Sequence, residues 1–267
     1  MTLGLIATSS MGLDSLDIER ETLYVPTRWG DVLTQRMRVD GDDIYLVRRG
    51  SIRHPLEPGL INTRAICAMF AQLDVRTVLS TCVVGSLRRD LQEGTIVSLQ
   101  QFIDFTSHRP RTIFADDGFR FTDMSEPYCP QVQASLQKAA IEIDVDLETA
   151  ICYVGVDGPR YETAAEVRIY SLLGGDVVGH TGVAEAIYLR ELGICHGALG
   201  LVANLAAGLN ADSIDNEVIG AFRQEHGEHL EQVALKAIGL LTDIGGDECQ
   251  CAGAPGALQS PPWIDAR

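Results

Sequence analysis

Three polar groups stand where apolar stretches of the chain give out. Tyr161 and Glu162 follow Ile151–Val156 after the turn Asp157-Gly158-Pro159-Arg160. His180 and Thr181 follow Asp176–Gly179, and the lone amide Asn204 closes Gly197–Ala203. At neutral pH a carboxylate only accepts hydrogen bonds, whereas a primary amide both donates and accepts. Glu162 and Asn204 together therefore suit a ligand that presents both kinds of group. Two arginines, Arg48 and Arg49, end a further apolar run, Ile44–Val47. Their fork of donors fits phosphate or carboxylate, although a solvated loop carries the same residues. Ser9 lies in the small polar turn Thr8-Ser9-Ser10-Met11-Gly12, which offers hydroxyls and backbone N–H groups to an anion. Such turns also occur simply as turns, and Glu162 in turn has the alternative role of a carboxylate favoured at a helix start.

The elements that must carry these residues alternate between strand and helix. Strands are predicted at Leu3–Ala7, Glu21–Val25, Val32–Val39, Ile44–Val47, Thr77–Ser80, Thr95–Leu99, Phe102–Phe105, Glu148–Val156, Asp176–Gly179 and Gly197–Ala203. Helices are predicted from Ile61 to Leu73, from Ser125 to Ile141, from Thr163 to Leu173, from Gly182 to Leu192, and from Asn216 to Thr242. The polar groups above fall at the carboxyl ends of strands, the edge at which open α/β sheets bind ligands. One α/β domain is expected over residues 1–244. From Gly245 the composition turns to Gly, Pro, Ala and Ser, and 245–267 reads as a flexible tail. Ser107–Asp123 is a long polar loop of the kind that serves function or subunit contact.

With a formal net charge of −16, the chain lacks the basic footprint of a nucleic-acid binder. No apolar run reaches the roughly 18–20 residues of a membrane helix, and the N-terminal run has no basic n-region. A cytoplasmic location is expected. The seven cysteines then read as reduced thiols, mostly small core residues. Cys249-Gln250-Cys251 is either a redox or metal pair or a pair of tail thiols without a role. No second CxxC and no histidine at zinc spacing accompanies it.

Several blocks, in order and at matching spacing, resemble the trimeric purine nucleoside phosphorylases, especially their methylthioadenosine and methylthioinosine phosphorylase branch. They are Val84-Gly85-Ser86-Leu87-Arg88-Arg89-Asp90-Leu91-Gln92-Glu93-Gly94, Gln101-Phe102-Ile103-Asp104-Phe105-Thr106 with Arg109-Pro110, Glu126-Pro127-Tyr128-Cys129-Pro130, Gly158-Pro159-Arg160-Tyr161-Glu162-Thr163 with Ala165-Glu166, and Gly179-His180-Thr181-Gly182-Val183-Ala184-Glu185. The resemblance runs from about Leu3 to Leu241. It implies a single α/β domain with a central mixed, partly barrel-like β-sheet flanked by α-helices. It also implies a homotrimer, or a dimer of trimers, that binds a small purine nucleoside. The implied reaction is phosphorolysis: inorganic phosphate attacks C1′ of a purine nucleoside, giving free base and ribose 1-phosphate, with no metal or organic cofactor.

Position by position, the resemblance places Ser9, Arg48, Arg49 and Thr181 around phosphate, with the backbone of Val83 nearby. Tyr161 would pack on base or sugar, and His180 would face the ribose hydroxyls. Phe121 would enter the sugar pocket of a neighbouring subunit, and Val218 and Phe222 would cover the 5′ substituent. Glu162 would accept from N1–H of a 6-oxopurine, and Asn204 would donate to O6 and N7. The adenine-selective branch has Asp at the Asn204 position and a second Asp where this chain has Ala206, so a preference for 6-oxopurines is implied. The chain departs from the branch in its Ser-rich first loop, in Arg49 for a His, in Val83 for an Ala and in His180 for a Met. These departures keep open phosphorolysis of an altered or phosphorylated sugar, hydrolysis by water, and a non-catalytic purine-binding trimer. Retention of Arg48, Thr181, Glu162 and Asn204 argues against the last.

Overall fold

Strand β1 (Thr2–Ala7) is apolar without alternation because the chain buries it on both faces, as parallel sheets do with their inner strands. The computed structural model describes residues 2–8, 18–39, 41–50, 56–118, 121–210, 214–241 and 249–254. In it β1 lies between β4 (Asp42–Arg48) and β5 (Thr77–Ser86), parallel to both. β2 (Arg20–Val25) and β3 (Val32–Val39) form an antiparallel hairpin that continues onto β4. β3 turns Val32, Thr34 and Met37 inward and Leu33, Arg36 and Arg38 outward. The remaining strands are β6 (Ile96–Asp104), β7 (Leu147–Gly155), β8 (Val177–Gly179) and β9 (Cys195–Leu205). The strand order is β2-β3-β4-β1-β5-β8-β7-β6-β9, and β9 pairs back onto β5. Five strands thus close a small barrel, which removes its edges, and the other four form a wing on it. The expected single α/β domain with a mixed, partly barrel-like sheet is what the chain adopts.

Two strands run longer than their composition suggested. Thr81 to Ser86, beyond the strand expected at Thr77–Ser80, continues β5, because β9 pairs with it from Thr77↔Cys195 through to Ser86↔Leu205. The two short runs expected between Thr95 and Phe105 are the single strand β6, whose register against β7 shifts near Leu99. A buried polar residue of β6 finds its partner on the covering helix: Ser98 Oγ donates to Gln133 Oε1 of the helix at 130–142 at 3.2 Å.

Helix α1 (Thr63–Gln72) is capped by Asn62, whose side chain accepts from the Ala65 N–H. α1 and α4 (Gly182–Glu191) cover one face of the sheet through Met69, Phe70, Tyr188 and Leu189. α2 (Pro130–Glu142) and α5 (Asn216–Leu241) cover the other through Val132, Leu136, Val233 and Ala237. α2 starts at Pro130 rather than Ser125, since proline fits the first helical position, where no N–H is needed. No helix among the described residues is long and apolar enough to cross a membrane. Of the segment expected to be a tail, residues 249–254 are described, and Cys251 is 2% exposed within the α2–α5 core.

α3 (Ala164–Leu172) opens with a capping box: Thr163 accepts from the Glu166 N–H while Glu166 accepts from the Thr163 N–H. The Arg160 guanidinium, followed by the Thr163 N–H, pulls the Glu166 carboxyl down to about 2. A carboxylate depressed in the folded state stabilises above its ordinary value of 4.5, and that contribution disappears as pH falls toward about 2. Thr163→Ala is expected to cost about 1 kcal/mol in urea unfolding at pH 7. The gap to wild type should narrow when the titration is repeated at pH 3.

Candidate active site

The anion side is set by the common ending of β1, β4 and β5. Ala7 pairs with Arg48, the Arg49 N–H donates to the Ala7 carbonyl at 3.3 Å, and the Thr8 N–H donates to Thr81 Oγ1 at 3.3 Å. Arg48 is half-buried at the rim of a cleft of about 460 Å³ between the wing and α1, with Gly50, Leu56 and Asn62 among its walls. Ser9, and with it Arg53 and His54, lies outside the described residues.

Arg49, expected as a second direct ligand for an anion, is engaged elsewhere. Its Nε and Nη2 donate to the two carboxylate oxygens of Glu185 at 2.5 and 2.6 Å, and Nη1 donates to the Thr81 carbonyl at 2.5 Å. Both partners are buried, at 7% and 1% side-chain exposure. A bidentate pair of this kind satisfies the guanidinium and fixes its plane, so Arg49 braces the end of β4 against α4.

Thr181 is the N-cap residue of α4, yet its side chain makes no capping bond. The work is done by Tyr153, a buried residue of β7 whose hydroxyl accepts from the Thr181 and Gly182 N–H groups at 3.2 and 3.3 Å. Glycine at 179 makes this approach possible, for a Cβ there would stand 2.6 Å from the Tyr153 hydroxyl. The Thr181 hydroxyl is thereby left out of the helix, at a terminus whose dipole favours anions. The sequence shows Tyr153 only as a phenol in the apolar half of its strand, without the helix start it caps.

β8 runs antiparallel to β5 in the register Gly85↔Val178 and Ser86↔Val177, so its exit toward His180 lies beside Val84 and Val83. Val83 itself is half-buried in β5, opposite Leu201. The His180 ring rests on Gly158, where an added Cβ would meet Nδ1 at 3.0 Å; that Nδ1 is buried without a partner. Arg109 pins the His180 backbone by donating to its carbonyl at 2.5 Å and to the Pro58 carbonyl at 2.8 Å.

β7 ends at Gly155, paired with Gly179, and Tyr161 and Glu162 stand in the loop between it and α3. Glu162 is 8% exposed, and its Oε1 has no hydrogen-bond partner among the described residues. It does not belong to the start of α3, because Thr163 and Glu166 complete that cap. A buried carboxylate oxygen left unbonded in the protein is costly unless a ligand donor meets it. Tyr161 lies beside it: burial, then the Glu162 charge, raises the phenol's pKa, and Asp215 and Arg223 near the start of α5 act on the same ring.

Asn204 lies within β9, one residue past a bulge in the pairing with β5. The bulge puts it opposite Gly85, and the missing Cβ of Gly85 leaves room for the amide, whose Nδ2 and Oδ1 would be 3.5 and 3.6 Å from a Cβ there. Nδ2 donates to the Leu205 carbonyl at 3.0 Å, and the amide has a second N–H beyond that bond. Of the remaining expected residues, Phe222 packs near Gly94 and stacks on His226 with centroids 4.2 Å apart, and Val218 is exposed one turn earlier on α5. Phe121 is 91% exposed and projects from its own chain.

The candidate residues thus fall into an anion group, with Arg48 beside its cleft, the β1–β5 corner and the start of α4, and a polar group, with Glu162 after β7 and Asn204 on β9. Comparison with known proteins shows the family to which the chain belongs. Residues 5–239 match the model of the phosphorylase superfamily. The chain is 36% identical over 225 residues to the 6-oxopurine nucleoside phosphorylase of Pyrococcus furiosus, covering 81% of this chain and 84% of the relative. It is 40% identical over 192 residues to the probable S-methyl-5′-thioinosine phosphorylase of Methanopyrus kandleri, covering 72% and 74%. Among solved structures, a methylthioadenosine phosphorylase from an antarctic soil metagenomic library superposes with a TM-score of 0.87 at 25% identity, over 94% of this chain and 90% of that one. The fold and the site define a pentosyl-transferring enzyme. The chain belongs to the phosphorylase superfamily.

Proposed function

We propose that the protein cleaves the N-glycosidic bond of 6-oxopurine nucleosides, such as inosine, guanosine or 5′-methylthioinosine, with inorganic phosphate. The observation that carries the reading is the buried, unpartnered Oε1 of Glu162. Inosine and guanosine present an N1–H that a carboxylate accepts, and adenosine presents a bare acceptor there. Asn204 offers its remaining N–H to O6 or N7. As the C1′–N9 bond breaks, its electron pair moves onto the base. Asn204 stabilises the charge developing at N7, and a proton taken up there releases neutral base. A phosphate oxygen forms the new bond to C1′, giving ribose 1-phosphate. The gain comes from contacts that strengthen as charge separates, positive on the sugar and negative on the base.

Phosphate is held by Arg48, Thr181 and Ser9, with the backbone at Val83 and the N-terminus of α4 behind it. His180 and Tyr161 line the sugar and base, and Val218 and Phe222 cover the 5′ side. Arg49 shapes this end from behind through Glu185. Its closure on Glu185 leaves His180 alone of the two side chains, Arg49 and His180, suited to an extra group on the sugar, which supports an ordinary sugar over a phosphorylated one. Neither metal nor organic cofactor enters the reaction. The assembly is a homotrimer, or a dimer of trimers, in the cytoplasm, and the exposure of Phe121 supports its entry into a neighbouring subunit's sugar pocket.

Arg48→Ala is expected to raise KM for phosphate by about 10- to 100-fold with a smaller effect on KM for inosine. Initial rates at varied phosphate and fixed inosine measure it. An unchanged phosphate KM would remove Arg48 from the anion site.

A further inference from the structure

On the opposite side of the sheet from α1 and α4, four cysteines remote in sequence converge. Cys129 precedes α2, Cys195 opens β9, and Cys249 and Cys251 lie beyond α5. Their sulfur atoms all lie within 4.8 Å of one another. Four thiolates at about 2.3 Å around a tetrahedral zinc ion stand about 3.8 Å apart, so this spacing needs little adjustment. Cys195 and Cys249, at 3.3 Å between sulfurs, are well beyond the roughly 2.05 Å of a disulfide. All seven cysteines of the chain are unpaired.

We propose that Cys129, Cys195, Cys249 and Cys251 bind one structural zinc ion that fastens the segment after α5 to the barrel. Three of the four are buried and Cys249 is half-buried, which suits a closed structural site with no open coordination position. The frame is rigid where it matters, because the Cys129 N–H donates to the His196 carbonyl at 2.7 Å and so locks the start of α2 to β9. Zinc with four thiolates carries a net charge of −2, and the surroundings supply a cation. Buried Arg190 places Nη1 3.3 Å from Cys251 Sγ while its Nε donates to the Asp123 carbonyl at 3.0 Å. Metal binding releases the thiol protons to solvent, with no redox step. The Cys-x-Cys pair read as an isolated feature of the tail thus gains its missing partners from Cys129 and Cys195. The site lies apart from the catalytic residues and leaves the proposed reaction free of metal.

The test is the metal and thiol content of full-length protein expressed with zinc chloride in the medium. About one zinc per chain by plasma mass spectrometry is expected, together with seven titratable thiols after denaturation in chelator without reductant. Cys251→Ser should lose most of the zinc. A strong chelator should lower the wild-type Tm by about 5 °C or more, and zinc chloride should restore it. Cobalt(II) loaded in place of zinc should give the intense visible bands of a tetrahedral thiolate site. Protein with no stoichiometric metal, with iron in zinc's place, or with five or three thiols from one or two disulfides would overturn the proposal. Because the chelator and cobalt arms use wild-type protein, a variant that fails to fold leaves the outcome decided. Base release assayed on the same preparation separates this proposal from the phosphorylase reading, since either can fail alone.

Discussion

Glu162→Gln is expected to lower kcat/KM for inosine by about 10²- to 10³-fold. The change keeps shape and volume but replaces an acceptor with an amide that can turn an N–H toward the N1–H of the base. The fold should tolerate it. Glu162 Oε1 has no partner among the described residues, and the α3 cap is complete without it. Thermal unfolding of the variant should therefore track wild type. Adenosine offers a bare acceptor at N1, so its low turnover should fall far less, and the preference for inosine should shrink. Measuring kcat/KM for both nucleosides decides the matter. A loss for inosine of under about threefold would mean that Glu162 does not read the base.

Glu185→Ala is expected to be the most destabilising single change near the site, by about 3–5 kcal/mol, because it leaves the Arg49 guanidinium buried without its counter-charge. For a chain of this size that is a drop in Tm on the order of 10 °C. The double variant Arg49→Met with Glu185→Leu should recover much of the loss, since well-packed apolar residues often replace a buried pair at little cost. Its KM for phosphate should nevertheless rise, because Arg48 and the start of α4 would no longer be braced. Calorimetry on wild type, Glu185→Ala and the double variant tests the first part. A single variant as stable as wild type, or a double variant no better than the single, would contradict a net buried pair.

The placement of the candidate residues was partly legible, because apolar runs and the polar residues after them show in the sequence. His180 and Thr181 directly follow β8, and Glu162 stands in the loop after β7. Asn204, expected to close its strand, lies within β9, where a bulge sets it opposite Gly85. The Arg49–Glu185 pair was not legible, because sequence shows adjacent arginines but not a partner 136 residues away. The capping role of Tyr153 and the convergence of four cysteines were hidden for the same reason. Closed barrels also disguise their strands. Thr81 and Ser86 look like turn residues, yet both are buried in β5. The fold class itself followed from the alternation of strands and helices together with the motif order, both of which are properties of the sequence.

The central claim is that phosphate, held at the Arg48 end, is the nucleophile for a nucleoside read by Glu162 and Asn204. The most direct measurement is release of hypoxanthine from inosine by purified protein, in buffer freed of phosphate and after phosphate is added, with the sugar product identified. Release only with phosphate, and recovery of ribose 1-phosphate in equal amount to the base, is the result expected. Equal release without phosphate, giving free ribose, would make water the nucleophile and contradict the assignment of the anion end.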